Sequence, residues 1–370
     1  MPSSVLTGVN VKVQPRSGFD KSRKNILTSK VGTLTPILTD LLIPNSNFNV
    51  RMAVSASLPP LASETFMRAS LKVEAFVVPF RLLYGGFESW LSGSELYDSS
   101  GNAFRAQLPR LKVASTNSTH FGPGTLLDYL GAQIDNDTFS SSSAQNQYVY
   151  LNVFPLLAYH RIYDDWYRNT KIQKPLFNRP GSSALSSSAN ANTILRTMPY
   201  SGWSSITDIA PNAQFFDGVA LGALRQRNYG TDYFTACTPD AQLGSPMTVT
   251  TNSSGQVSIA ALRSANSIQQ WEELQNLTGQ RLQDYCRANY GAKLSSGVAQ
   301  RAVLLGSADY PVYSKGVYAN QGVTATNNPF TSVGARYGSA YASGTDFVVN
   351  GHVDEPCILM VLCSLAPEPH

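Results

Sequence analysis

Charge is the first thing this sequence is short of. Asp, Glu, Lys and Arg make up 14% of its 370 residues, against roughly a quarter in ordinary soluble domains. That scarcity argues against a coiled coil or a helical bundle, which need charged faces around an apolar stripe. Long apolar runs are missing too: nothing approaches the roughly 18 consecutive apolar residues of a membrane-crossing helix. The opening M-P-S-S-V-L-T-G-V-N-V-K has no charged segment followed by an apolar one, so no secretory leader is expected. Cysteine is limited to Cys237, Cys286, Cys357 and Cys363. With no Cys-x-x-Cys pair and a chain this long, the four read as buried free thiols rather than a disulfide framework or a zinc site.

Catalytic signatures are equally scarce. Only His120, His160, His352 and His370 are present, and none stands at ligand spacing from a cysteine or another histidine. There is no G-x-x-x-x-G-K-[ST], no G-x-S-x-G and no H-E-x-x-H. His160 and Asp164 share a helix face at i,i+4 and could hold a metal, but a helix-surface hydrogen bond is the plainer reading. Asp164-Asp165 and Glu272-Glu273 are adjacent, so on a helix each pair diverges by about a quarter turn and reads as a solvated face. The expectation is no enzyme, no metal and no cofactor.

Apolar residues make up 42% of the chain, with 27 Gly and 21 Pro, which suits a loop-rich β protein with a real core. Residues 31–44, 48–58 and 70–80 alternate apolar and polar side chains and read as strands. In the second, Phe48, Val50, Met52, Val54 and Ala56 form one face. In the third, Leu71, Val73, Ala75 and Val77 oppose Lys72, Glu74 and Phe76. Residues 151–169 read as a helix with Pro155 in its first turn. Residues 259–274 place Ile259, Leu262, Ile268, Trp271 and Leu274 on one helical face, and 277–291 continue to a Gly291 C-cap. The tail reads as a strand, a turn at Asn350-Gly351, and a buried strand from Cys357 to Leu365. Ser140–Ser143 and residues 180–194 read as loops. The simplest architecture is a basic arm (1–30) and one β-sandwich domain (31–370). Its strands lie near 31–80 and 345–367, and its insertions between about 81 and 344.

The net charge of +4 is unevenly placed. Residues 1–30 carry Lys12, Arg16, Lys21, Arg23, Lys24 and Lys30 against Asp20 alone, a balance of +5 that leaves −1 for the rest. Such an arm suits sequence-independent contact with phosphates; a solvated tail is the other reading. Tyr148, Tyr150, Tyr159, Tyr163, Trp166 and Tyr167 cluster around the first helix, where core packing or subunit contact is favoured over base stacking.

Several segments resemble, in order, the major capsid protein of the Microviridae, small tailless single-stranded DNA bacteriophages, and in particular its gokushovirus-like branch. The block from Gly18 to Tyr84 is similar to the family's opening, with its basic arm, Gly-x-Leu-x-Pro and Pro-Gly/Asn-x-Phe. V-E-A-F-V-V-P-F-R-L-L-Y (73–84) and F-E-S-W-L (87–91) resemble its next strand and aromatic helix. D-Y-F-T-A-C-T-P-D-A-Q-L-G (232–244) and I-A-A-L-R-S-A-N-S-I-Q-Q-W-E-E (259–273) resemble two further motifs. The resemblance implies an all-β fold with helical insertions, a viral jelly-roll sandwich of eight strands with long inter-strand loops. It implies a T=1 shell of sixty copies around a circular single-stranded DNA genome, assembled in the bacterial cytoplasm. Other virion proteins, such as a DNA-binding or pilot protein, and a host receptor are implied partners; a membrane is not. Relatives run on past the strand matching Cys357–Leu365, whereas this chain stops at His370, which leaves open either a compact closure or a longer parent. The arm, Lys12 to Lys30, is expected to face inward onto DNA. The competing class is a carbohydrate-binding β-sandwich, a lectin or adhesin.

Overall fold

A computed structural model describes residues 17–59, 68–97, 101, 103–105, 107–132, 134, 148–170, 172–177, 195–198, 208–228, 258–278, 281–295, 300–318, 323–325, 328–331, 334 and 336–368. Three long strands come first: β1 (Thr35–Leu42), β2 (Ser46–Ser57) and β3 (Ala69–Pro79). A middle region follows with α1 (Phe87–Ser92), β4 (Glu95–Tyr97), β5 (Ala103–Arg105), β6 (Arg110–Ala114), α2 (Leu126–Tyr129), β7 (Tyr148–Asn152), α3 (Phe154–Ile162) and β8 (Asp208–Ile209). The helices α4 (Ile259–Thr278) and α5 (Leu282–Tyr290) lead to β9 (Val303–Pro311), β10 (Tyr313–Tyr318), β11 (Val323–Ala325), β12 (Asn328–Thr331), β13 (Arg336–Val353) and β14 (Cys357–Pro367).

Two antiparallel sheets form the sandwich. One has the order β1-β14-β3-β9 and the other β10-β13-β2. Leu71, Val73, Ala75 and Val361 from the first sheet meet Phe347, Val349, Phe48 and Met52 from the second in a shared core. The β2 face expected from alternation is the one that packs inward, and its alternate residues are exposed. This is the β-rich, antiparallel architecture expected of a jelly roll.

The first sheet is covered on both sides, which explains why two of its strands are nearly continuous apolar runs. Val73 and Ala75 face the sandwich, whereas Phe76, Val78, Ile358, Met360 and Leu362 face a helical layer holding Leu156, Tyr159 and Ile162 of α3. Each such buried side chain contributes about 1.5–3 kcal/mol by leaving water. Pro155 does sit in the first turn of α3. The helix starts three residues later than expected because 148–152 pair with β6 as a strand. A wide π turn, Tyr163–Tyr167, ends it.

Four expectations need correction. Asn350-Gly351 is not a turn: β13 runs straight through it, pairing Gly351 with Phe48, and the chain reverses at Asp354–Pro356. Glycine is required there because a Cβ would run into the Phe48 ring. The interval 81–344 is not all insertion, since β9 pairs with β3 along eight residues and β10 pairs with β13. The alternation in β1 is interrupted by a register shift between Pro36 and Leu38, which buries Leu42 and exposes Leu41. The helix expected over 277–291 begins only at Leu282, although Gly291 caps it in the left-handed conformation as expected.

Candidate assembly surface and nucleic-acid arm

Residues 21–29 lie antiparallel beside β1, the outer strand of its sheet, and are held by side chains rather than by a backbone ladder. The Lys21 ammonium reaches Asp40 at 2.9 Å, Arg23 Nη2 donates to the Thr39 carbonyl at 2.9 Å, and Asn25 Nδ2 to the Ile37 carbonyl at 3.2 Å. Ser29 and Thr35 share a hydroxyl hydrogen bond of 2.6 Å, and the Tyr129 hydroxyl donates to the Thr28 carbonyl. An unpaired strand edge invites uncontrolled pairing, and a docked basic segment blunts it. Among the described residues, Lys24 and Lys30 have no salt-bridge partner. Lys12 and Arg16 lie outside the described residues.

The arm also carries apolar side chains into solvent: Phe19 is 79% exposed and Ile26 83%. Beside the C-terminal end of β1 is an apolar groove of about 530 Å³, lined by Leu41, Ile43, Phe87, Trp90, Leu91 and Tyr150 among others. Ile43 and Leu91 are each about two-thirds exposed. A second apolar surface is the stripe of α4. Ile259, Leu262, Ile268, Trp271 and Leu274 share a face as expected, but all five are exposed. Exposed apolar patches of this kind mark interaction sites.

The weak chemical candidates dissolve into structure. His160 is fully buried: its Nδ1 accepts from Arg225 Nε at 3.1 Å, leaving Nε2 to donate to the Leu221 carbonyl at 2.8 Å. Burial and the neighbouring guanidinium hold its pKa well below the usual histidine value. Asp164 binds Arg168 at 2.6 Å, and Asp165 binds Arg161 and the Ala302 amide, both at 2.9 Å. These carboxylates anchor the π turn instead of converging on a cleft. Among the described residues no group of His, Cys, Asp and Glu has metal-site geometry. Burial pushes the Cys357 thiol up to about 12 and the Cys363 thiol up to about 11. Both are free, as is the half-buried Cys286, while Cys237 lies outside the described residues.

The aromatic cluster divides. Tyr159, Tyr163 and Tyr167 are core residues. Tyr148 and Tyr150 stand on the exposed face of the β6–β7 ribbon, where Lys112 and Arg110 lie over their rings at 3.9 and 4.3 Å. Arg110 is tied to Asp208 at 2.8 Å.

Comparison with known proteins gives the family of the chain. A family model described as capsid protein (F protein) matches residues 8–258. The chain belongs to this capsid-protein family. It is also similar to capsid protein VP1 of Chlamydia phage 1, at 24% identity over 232 residues, 62% of this chain. The match spans about a third of that relative, 34% of its length. The resemblance to the Microviridae capsid protein therefore stands, and this is a structural capsid protein of that phage group. Sequence patterns missed the groove because its walls come from five separate segments, 41–44, 80–91, 108–110, 150–154 and Pro356, and the F-E-S-W-L helix was its one legible mark. The D-Y-F-T motif and the loops at 140–146 and 180–194 lie outside the described residues, apart from this match.

Proposed function

We propose that this capsid protein is the repeating unit of a T=1 icosahedral shell of sixty copies enclosing a circular single-stranded DNA genome, assembled in the bacterial cytoplasm. It acts by assembly and not by catalysis, and the shell also takes up other virion proteins. The sandwich provides a rigid wedge, because one of its sheets is packed on both faces. Closed shells need contacts that close around symmetry axes, and many weak contacts per copy suffice.

The basic arm is the genome contact in this reading. The observation that carries it is the arm's docking along β1, which fixes a row of cations on one edge, with no carboxylate paired to Lys24 or Lys30 among the described residues. Cations held in a row neutralise phosphates without reading bases. Replacing Lys12, Arg16, Lys21, Arg23, Lys24 and Lys30 by Gln tests it. The expected result is shells of normal size with little nucleic acid; normal DNA content across salt concentrations refutes the assignment.

A further inference from the structure

The arm's contacts with β1 alternate along the chain. Lys21 reaches Asp40, Arg23 the Thr39 carbonyl, Asn25 the Ile37 carbonyl and Ser29 the Thr35 hydroxyl. These are odd-numbered residues, the spacing of one face of an extended chain. Leu27 fits the same series: it is half-buried, whereas its neighbours Ile26 and Thr28 are exposed. Antiparallel order holds throughout, with 21 against 40, 23 against 39, 25 against 37 and 29 against 35. Both faces of the segment are largely polar, so no hydropathy pattern announces the division.

The even-numbered residues belong to the other face. Lys24 is exposed and, among the described residues, has no hydrogen bond or salt bridge to β1. Lys30 follows at the turn into β1, where its carbonyl accepts from the Thr33 amide at 3.2 Å and its side chain stays exposed. Asp20, the one carboxylate of the arm, accepts from the Ser22 amide at 2.9 Å and the Ser22 hydroxyl at 2.5 Å. Two cations are therefore engaged in holding the arm, and two are presented to solvent.

We infer that the arm is divided by role: Lys24 and Lys30 contact the phosphates, while Lys21, Arg23 and Asp40 are positioning residues that hold the arm along β1. The inference rests on the genome-contact reading of the arm and assigns the roles within it. Cations that reach a nucleic acid displace the counterions condensed on it. The Lys21 ammonium, 2.9 Å from Asp40, already has its counter-charge. Holding the arm beforehand removes part of the ordering cost that a loose arm meets on binding. An acidic side chain, Asp40, thereby favours the binding of a polyanion.

Binding of the purified full chain to a fluorescent oligo-deoxythymidine, measured over a series of salt concentrations, tests this. The slope of log affinity against log salt counts phosphate contacts, at about 0.7 for each on a single strand. Lys24→Gln together with Lys30→Gln is expected to lower the slope by about 1.4. Lys21→Gln together with Arg23→Gln is expected to lower it by less than about 0.7 while weakening affinity. Asp40→Asn adds a unit of positive charge, so simple attraction predicts tighter binding. The positioning role predicts binding weaker by about two- to fivefold at an unchanged slope, the scale of one exposed ion pair. Asp40→Glu, which keeps the carboxylate, is expected to restore it. Equal slope losses from the two cation pairs, unchanged or tighter binding by Asp40→Asn, or a Glu variant as weak as the Asn one overturns the inference and leaves the genome-contact reading intact. A slope left unchanged with all six arm cations replaced by Gln, or no binding by the unaltered chain, overturns both.

Discussion

Arg227 grips Glu74 with two nitrogens, at 2.8 and 3.1 Å, and the same carboxylate accepts the hydroxyl of Tyr167. Glu74 is on β3, Tyr167 ends the π turn, and Arg227 also reaches the Ser364 hydroxyl of β14 at 3.0 Å. The backbone beside it pairs with the arm's end, Arg227 N to Gly32 O at 2.7 Å. One carboxylate thus joins the sandwich, the helical layer and the root of the arm. Glu74→Gln leaves a mostly buried guanidinium without its anion and is expected to cost about 3 kcal/mol, the low end for a buried pair because it is partly solvated. Urea denaturation of the unassembled protein measures it. Loss of under about 0.5 kcal/mol, the level of a surface substitution, would show that the network holds nothing together.

The buried His160 makes stability depend on pH. Its folded pKa lies well below 6.5, from burial first and the Arg225 charge second. Below about pH 6.5 the unfolded chain takes up a proton that the folded one refuses. The contribution is therefore complete above that pH and is lost as pH falls, by up to about 1.4 kcal/mol per unit. Denaturation midpoints compared at pH 7.5 and 5.5 should drop, and His160→Gln should flatten the difference. An unchanged slope in that variant would contradict the assignment.

Gly344 stands where β13 shifts register against β2, and a Cβ there would collide with the Tyr310 ring. Tyr310 is itself buried in the sandwich core, so it cannot swing aside cheaply. Gly344→Ala is expected to destabilise by about 1–3 kcal/mol, the range for overpacking a core. A thermal melt at the native Tm would refute this.

The three described cysteines should react in order of exposure. At pH 8, Cys357 and Cys363 should resist a small maleimide, because burial has raised both pKa values far above the working pH and blocks access. Of these three, the half-buried Cys286 on α5 should label first. Mass spectrometry of timed samples gives the order.

Strands packed on one face were legible because alternation reports a single buried side: the inward faces of β2 and of the first half of β3 were read correctly, with strand ends off by one or two residues. Strands outside that rule were not. In β9, Gly306, Asp309 and Pro311 look like loop signals, yet this is an outer strand, where a proline and polar residues are tolerated. Asn350-Gly351 carried a turn signature, but the glycine makes room for an aromatic ring across the strand pair. The basic arm was plain in the sequence as charge. Its path was not, because it docks through side-chain bonds to carbonyls 12–16 residues away, which leave no periodic trace. The α4 stripe shows the converse: a regular apolar face was visible, and its exposure was not, since periodicity cannot tell a face that packs within one chain from one that meets a neighbour.

Electron microscopy of the purified protein tests the central claim most directly. The account predicts uniform closed shells about 25–30 nm across, the scale of sixty subunits of this mass, with nucleic acid inside when made in bacteria. A dispersed 40.1 kDa species that forms no closed particle under any packaging condition would contradict it.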